Sequence, residues 1–277
     1  MKLYVFVCLL VLPSCCLLSE INNDSSKNYI SSADFEFPKN RHPEATGRII
    51  GGEEVEAHSY PFVVALLMIY GSEQYFCGGT LLYPGWVLTA AHCVDQIPDS
   101  TYVILGAHDV GAESEKGRIV IGASGYKVHE DWDNATLQND VALIKLPYNP
   151  PSIYQKGNSS YADEIGTIVG WGQTEVTTTI SNVLMKVNSK ILSNEACSAI
   201  DPFQDIIVSS HLCASGDGPI GSCNGDSGGP IMADGVQVGI VSFGYKPCTA
   251  GKPSVFTRIT DFEDWIEKHV RGSSNSL

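Results

Sequence analysis

The sequence predicts an all-β fold, a barrel or sandwich, closed off by one helix at its C-terminal end. Three observations carry this reading. Short apolar runs recur along residues 49–277 and are separated by Gly, Pro and Asn turn signals. The runs fall into two stretches of similar length on either side of a Pro-, Asn-, Ser- and Tyr-rich segment at 147–164, which reads as a connector between two barrels. The one clear helical pattern lies near the chain's end.

Taken in order, the strand candidates before the connector are 62–69, 78–83, 86–89, 102–105, 118–121 and 141–146. After it come 166–172, 183–187, 206–208, 230–232 and 236–242. The helix opens with a capping box, Thr260-Asp261-Phe262-Glu263, in which Thr260 bonds forward and Glu263 back. Phe262, Trp265, Ile266, His269 and Val270 then recur at helical spacing and form a packing face, so His269 is read as structural.

The first residues differ from the rest. Lys2, an apolar run at 3–12 and Pro13 read as a secretory signal over 1–19, too short to span a bilayer. No later stretch reaches the roughly 18 apolar residues of a membrane span, and the C-terminal tail is polar, so no membrane association is expected. Residues 20–48 are polar, carry Pro38 and Pro43, and read as a flexible segment. Composition changes abruptly after Arg48, where Ile49-Ile50-Gly51-Gly52 begins, which marks Arg48 as a processing site.

Length and charge narrow the function. The 277 residues suit one or two domains with a large core. Seventeen basic against 31 acidic residues give a net charge of −14. Residues 1–48 hold five of each, so the excess lies in 49–277. That balance argues against nucleic-acid binding, and solubility accounts for it. Outside the signal the cysteines are Cys77, Cys93, Cys197, Cys213, Cys223 and Cys248, which suit three disulfides in an oxidising compartment with the connectivity open. They contain no C-x₂-C pair, which disfavours zinc. Glycosylation sequons stand at Asn23, Asn134 and Asn158.

The chemistry points to Gly225-Asp226-Ser227-Gly228-Gly229-Pro230. A serine among glycines can expose its hydroxyl on a tight turn, but needs a base beside it to act as a nucleophile. Of the seven histidines, His92 stands out, at the end of an apolar strand and next to Cys93. Asp140 opens the apolar run Val141-Ala142-Leu143-Ile144, where a buried carboxylate needs a partner such as an imidazole N–H.

These pieces resemble the trypsin/chymotrypsin family of serine proteases, of the chymotrypsin-like or collagenolytic arthropod type. The motifs that carry the resemblance are Ile49-Ile50-Gly51-Gly52, Leu88-Thr89-Ala90-Ala91-His92-Cys93, Asn139-Asp140-Val141-Ala142-Leu143, Gly170-Trp171-Gly172, the run from Cys223 to Pro230, and Ile240-Val241-Ser242-Phe243-Gly244. The resemblance covers 49–277 and implies two packed antiparallel six-stranded β-barrels with a C-terminal α-helix. It implies a Ser227 nucleophile, His92 as general base, Asp140 orienting it, and an oxyanion hole from the N–H groups of Gly225 and Ser227. Ser242 would bond near Asp140. The implied disulfides are Cys77–Cys93, Cys197–Cys213 and Cys223–Cys248. Residues 20–48 become an activation peptide: cleavage after Arg48 frees the α-amine of Ile49, which pairs with Asp226.

For specificity, the family alignment puts Gly221 at the base of the primary pocket and Gly244 and Ser254 on its walls, with Phe243 beside the substrate backbone. Lacking an acid at its base, the pocket is expected to prefer Phe, Tyr or Leu before the scissile bond, although Asp217 could reach in. Elastase-like or collagenolytic specificity is the alternative. A catalytically silent homologue that binds proteins is the reading from another class, disfavoured by the intact triad. Ala107 replaces the glutamate that begins the family's calcium site, and Asp109, Glu113 and Glu115 read as a solvated loop, so neither metal nor cofactor is expected. The expected partners of this secreted monomer are protein or peptide substrates, a trypsin-like activating protease and protein inhibitors.

Overall fold

The computed structural model describes residues 49–82, 84–148, 161–174, 179–218 and 220–272. The expected signal at 1–19, the segment 20–48 with Arg48 and Asn23, and Asn158 with most of the connector lie outside the described residues.

The first half contributes β1 (Glu53–Glu54), β2 (Val63–Tyr70), β3 (Glu73–Leu82), β4 (Trp86–Thr89), β5 (Ser100–Leu105), β6 (Ile119–Gly122), β7 (Gly125–Val128) and β8 (Ala142–Lys145). The second contributes β9 (Ile165–Gly170), β10 (Met185–Leu192), α1 (Asn194–Ser198), β11 (His211–Ala214), β12 (Pro230–Ala233), β13 (Val236–Gly244), β14 (Ser254–Arg258) and α2 (Glu263–Gly272).

All pairings are antiparallel, as a chain of short strands and tight turns dictates. The second-half strands run in the order β10-β11-β14-β13-β12-β9 and close through a β9–β10 ladder into a six-stranded barrel, with β1 added on the outside of β10. The first-half sheet runs β6-β5-β2-β3-β4-β8-β7. Its two edges are halves of one bent run. Ala123 N–H donates to Thr101 O on one side (2.9 Å) and Ser124 N–H to Lys145 O on the other (2.8 Å), so the sheet curls until its edges meet the same segment. The predicted all-β class and terminal helix are found. The strand count of the first unit is seven segments rather than six.

Four clusters form the core among the described residues, the smallest of them Cys197, Phe203, Cys213 and Val255. Leu66, Leu88, Ile121 and Leu143 fill the first unit, and Phe262, Ile266 and Val270 of α2 pack against them. The helix that ends the second half therefore covers the first half. Ile168, Ile191, Leu212, Ile231 and Phe256 fill the second barrel, together with Ile49. A third cluster joins the units, with Trp171 and Leu184 against Ala65, Leu67 and Ile104. Trp171 is fully buried, and its Nε1–H donates to His108 O at 3.0 Å.

Several sequence expectations are corrected. Residues 206–208 are the end of a turn and irregular chain, not a strand. The amides of Ile206 and Ile207 close on Phe203 O, and Ile206 is exposed. Three apolar residues are too few to distinguish a strand from a turn that caps a core. The strands β1, β7, β11 and β14 and the short helix α1 were not anticipated. Of these, α1 has a local cause, since the Ser193 side chain accepts the N–H of Ala196. Helix α2 begins at Glu263, because Thr260 sits in a 3-10 turn spanning Ile259–Asp261 rather than at the cap.

Candidate active site

The site lies where the two units meet. Strand β4 delivers the chain to a 3-10 turn, Ala91–Cys93, whose entry residues Ala90 and Ala91 are fully buried. The Cys77–Cys93 disulfide ties this turn to β3, and Thr89 Oγ1 donates to Gly78 O at 2.9 Å. His92 is thereby fixed from both sides. Asp140 reaches it from the loop before β8, in which Leu137 and Asn139 take left-handed φ values of 57° and 58°. For residues other than glycine that geometry carries strain, held here by surrounding bonds.

Asp140 is fully buried and well bonded. Its Oδ1 accepts the His92 backbone N–H at 2.9 Å, and its Oδ2 lies 2.8 Å from His92 Nδ1. Ser242 Oγ donates to the same Oδ2 at 2.5 Å. Thr257 Oγ1 donates to the Asp140 carbonyl at 2.8 Å, a contact with no signal in the sequence. Burial pulls the His92 pKa down, but the charge and hydrogen bond of Asp140, helped by Asp95, outweigh it and leave the imidazole above its ordinary value.

Ser227 sits in the turn between Cys223 and Gly229. Its carbonyl accepts the Gly78 N–H at 2.7 Å, and the next amide, Gly228, donates to Val241 O at 2.8 Å. His92 and Ser227 line one cavity of about 350 Å³, with the Cys77–Cys93 disulfide in its wall. Gly225 has φ +96°, a conformation that favours glycine. The carbonyl of Asn224 accepts from Gln173 N–H at 2.7 Å, and that of Asp226 from Gly229 N–H at 2.9 Å. In trans peptides the N–H points opposite to the carbonyl, so the Gly225 and Ser227 amides face away from these bonds. Among the described residues neither amide has an acceptor.

Asp226 is turned inward and fully buried. Its carboxylate accepts from Gly172 N–H (2.8 Å) and Cys223 N–H (2.9 Å). A Cβ on Gly172 would lie 2.1 Å from Asp226 Oδ2, so only glycine fits there. Desolvation pushes the Asp226 carboxyl up to about 7, against the pull of the two amides. Ile49 and Ile50 are buried alongside, bridging Thr174 and Gly221 respectively.

The expected pocket residues are neighbours. Ser254 Oγ accepts from Ser222 N–H at 3.0 Å, and a Cβ on Gly221 would come within 2.8 Å of it. A Cβ on Gly244 would meet nothing nearer than 3.8 Å, so that wall is open. Asp217 is exposed, its N–H bonded to Ser215 Oγ. Beside Phe243 and Gly244 a second cavity of about 340 Å³ runs between the units.

This geometry can be set beside known proteins. Residues 49–266 match the sequence profile of the family described as Trypsin. The chain belongs to the trypsin family. It is a serine endopeptidase, a hydrolase of chymotrypsin type. It is 39% identical over 227 residues to brachyurin of Leptuca pugilator, covering 79% of this chain and 97% of that one. It is 34% identical over 232 residues to chymotrypsin of Phaedon cochleariae, covering 80% and 82%. A solved structure described as HL collagenase superposes with TM-score 0.71 at 31% identity, covering 80% of this chain and 98% of the other.

This trypsin-family domain contains the three disulfides Cys77–Cys93, Cys197–Cys213 and Cys223–Cys248. The grouping of Cys77, His92 and Cys93 is no metal site, since both thiols are consumed in a bridge. Asp109, Glu115 and Arg118 of the loop after Ala107 are engaged internally. Glu115 accepts the His108 N–H at 2.9 Å, while the Arg118 guanidinium donates to Asp109 O (3.3 Å) and Ala112 O (2.7 Å). A cation of the protein's own thus occupies the loop's carbonyls, which the acids alone did not reveal. Sequence reasoning also missed His211, buried beneath Phe243.

Proposed function

We propose that this chain is a secreted, zymogen-activated endopeptidase that cleaves proteins after large apolar residues, with His92, Asp140 and Ser227 as its triad. The observation that carries this reading is the buried Asp140 bonded to His92, whose ring shares a cavity with Ser227 beside two unbonded amides. Ser227 Oγ attacks the peptide carbonyl carbon as His92 Nε2 takes its proton. Asp140 holds Nδ1–H and stabilises the imidazolium. The carbonyl oxygen becomes an oxyanion facing the Gly225 and Ser227 amides. As the C–N bond breaks, His92 returns the proton to the leaving amine, and water then releases the acyl group from Ser227 by the same steps.

The specificity follows from the pocket. Gly221 supplies no acid at its base, Gly244 leaves its wall open, and Asp217 faces solvent. Among these described residues, none would neutralise a buried Lys or Arg side chain. The relatives named chymotrypsin and collagenase support a chymotrypsin-like preference, with collagenolytic cleavage as the second reading.

Activation is proposed at Arg48, by a trypsin-like protease, with 1–19 as signal and 20–48 as activation peptide. The buried Ile49 beside an Asp226 whose carboxylate, among the described residues, accepts from the Gly172 and Cys223 amides supports it, because a freed Ile49 ammonium would supply a counter-charge. The three disulfides support an extracellular setting. The exposed Asn134 is the proposed glycan acceptor within the described residues.

The test is to treat the recombinant precursor with trypsin, remove the trypsin, and measure hydrolysis of Phe, Leu, Ala and Arg anilides. Phe or Leu should lead, and Ser227→Ala should be inactive. Fast Arg cleavage with poor Phe cleavage would overturn the specificity, and an active Ser227→Ala would overturn the triad.

A further inference from the structure

His211, the first residue of β11, is 1% exposed and does not line the cavity shared by His92 and Ser227, yet both its ring nitrogens are committed. The backbone N–H of Val208 donates to Nδ1 at 3.3 Å, so Nε2 carries the proton and faces Leu137 O at 3.3 Å. That second bond crosses between the two units over 74 positions of sequence. Its acceptor is the carbonyl of a residue held left-handed, in the same loop that presents Asp140. The ring also stands edge-on to Phe243, with centroids 5.4 Å apart at 80°.

The groove of about 340 Å³ explains why this matters. One wall is Thr136 and Leu137 from the first unit, and the other is Phe203 and Phe243 from the second. His211 lies beneath and is bonded to one wall and packed on the other. The turn that holds it is itself clamped: Arg258 Nη2 donates to His211 O (2.8 Å), and Asn194 Nδ2 to Val208 O (2.6 Å).

We propose that His211 is a positioning residue that sets the separation of the two groove walls, and so governs binding of the apolar residues N-terminal to the scissile bond without touching them. This rests on the proposed site, in which the acyl side of the substrate runs past Phe243 and Gly244. The imidazole is suited to the task because it is a rigid donor and acceptor at once. Burial, and then the nearby Arg258, hold its pKa down against Leu137 O and Asp140, so the neutral ring that these bonds require is the stable form.

The experiment compares activated wild type, His211→Leu and His211→Gln, with active sites counted by a covalent serine reagent. One substrate is a single-residue Phe ester and the other a peptide with three apolar residues added before the same Phe. His211→Leu leaves two part-buried polar groups, Val208 N–H and Leu137 O, unmet. It should raise KM for the long peptide roughly tenfold, the order of one lost buried hydrogen bond, with kcat and ester hydrolysis little changed. His211→Gln, which can both donate and accept, should restore KM. Equal loss on both substrates, no change on the peptide, or a Gln variant as impaired as Leu would each overturn the proposal. If His211→Leu yields no titratable sites, His211→Asn replaces it. Its shorter amide reaches only one partner, so the same selective rise in KM is expected, and a uniform loss or none overturns the idea. Failure of the wild type to hydrolyse the ester would instead defeat the proposed function.

Discussion

His92 is pulled both ways, by burial toward the neutral form and by Asp140 toward the charged one, and Asp140 prevails. General-base action needs the neutral ring, so kcat/KM should fall as pH drops through a value above that of an ordinary histidine. Asp140→Asn removes the largest raising influence and leaves burial. Its acidic limb should therefore move to lower pH, while kcat falls about 10⁴-fold, as measured for this substitution in the family. A limb that stayed in place or moved up would contradict the assignment. At Gly244 the space is open. Gly244→Val should fill it and cut kcat/KM for Phe substrates by about tenfold or more, while an Ala substrate is spared. Steady-state rates on the two anilides decide this. The residues of the proposed triad could be singled out in the sequence because each broke a local pattern: a serine among glycines, a histidine beside a cysteine, an acid opening an apolar strand. His211 and Thr257 broke none, since their roles depend on partners 74 and 117 positions away.

At the scale of elements, legibility followed the strength of local signals. Strand β4 was read to its ends, because Trp86-Val87-Leu88-Thr89 is uniformly apolar or β-branched and bounded by Gly85 and by Ala90. Strands β11 and β14 were missed because they owe their state to mutual pairing, Leu212 opposite Phe256 and Cys213 opposite Val255, rather than to intrinsic pattern. Helix α2 was found from its apolar stripe, but which unit the stripe covers was not legible. Ile266 is 3% exposed against the first unit. Ile266→Ala should cost about 2–4 kcal/mol of stability, and because α2 closes the other half's core it should lower the single unfolding transition of the whole domain. A denaturant melt in which only a minor C-terminal phase shifted would show that the helix is an appendage instead.

For the whole molecule the central fact is that each end of the described segment packs on the unit built mainly from the other half of the chain. Ile49 packs in the second barrel's core, next to the loop that carries Asp226, while α2 covers the first. In the uncleaved chain the folded Asp226 carboxyl keeps its proton up to about 7, whereas the unfolded one releases it near the ordinary 3.8. Protonation thus favours the fold. The precursor should be most stable in this respect below about pH 4 and lose stability as pH rises through about 7. Asp226→Asn should flatten that decline, and cleavage after Arg48 should remove it by providing the Ile49 ammonium. Melting temperature against pH for precursor, variant and cleaved protein measures this, and identical slopes for precursor and variant would refute it.

By itself the sequence determined the all-β class, the terminal helix, the six cysteines within residues 49–277 and the residue types needed for nucleophilic catalysis. These are written in local periodicity, turn chemistry and short motifs. Tertiary structure decided what depends on distant partners. It set how the first sheet closes through Ala123 and Ser124, and which unit α2 covers. It placed Arg118 on the carbonyls of the acidic loop and His211 under the groove. Burial and hydrogen bonding between segments far apart in the chain have no local signature, so such assignments became visible only when the chain was folded.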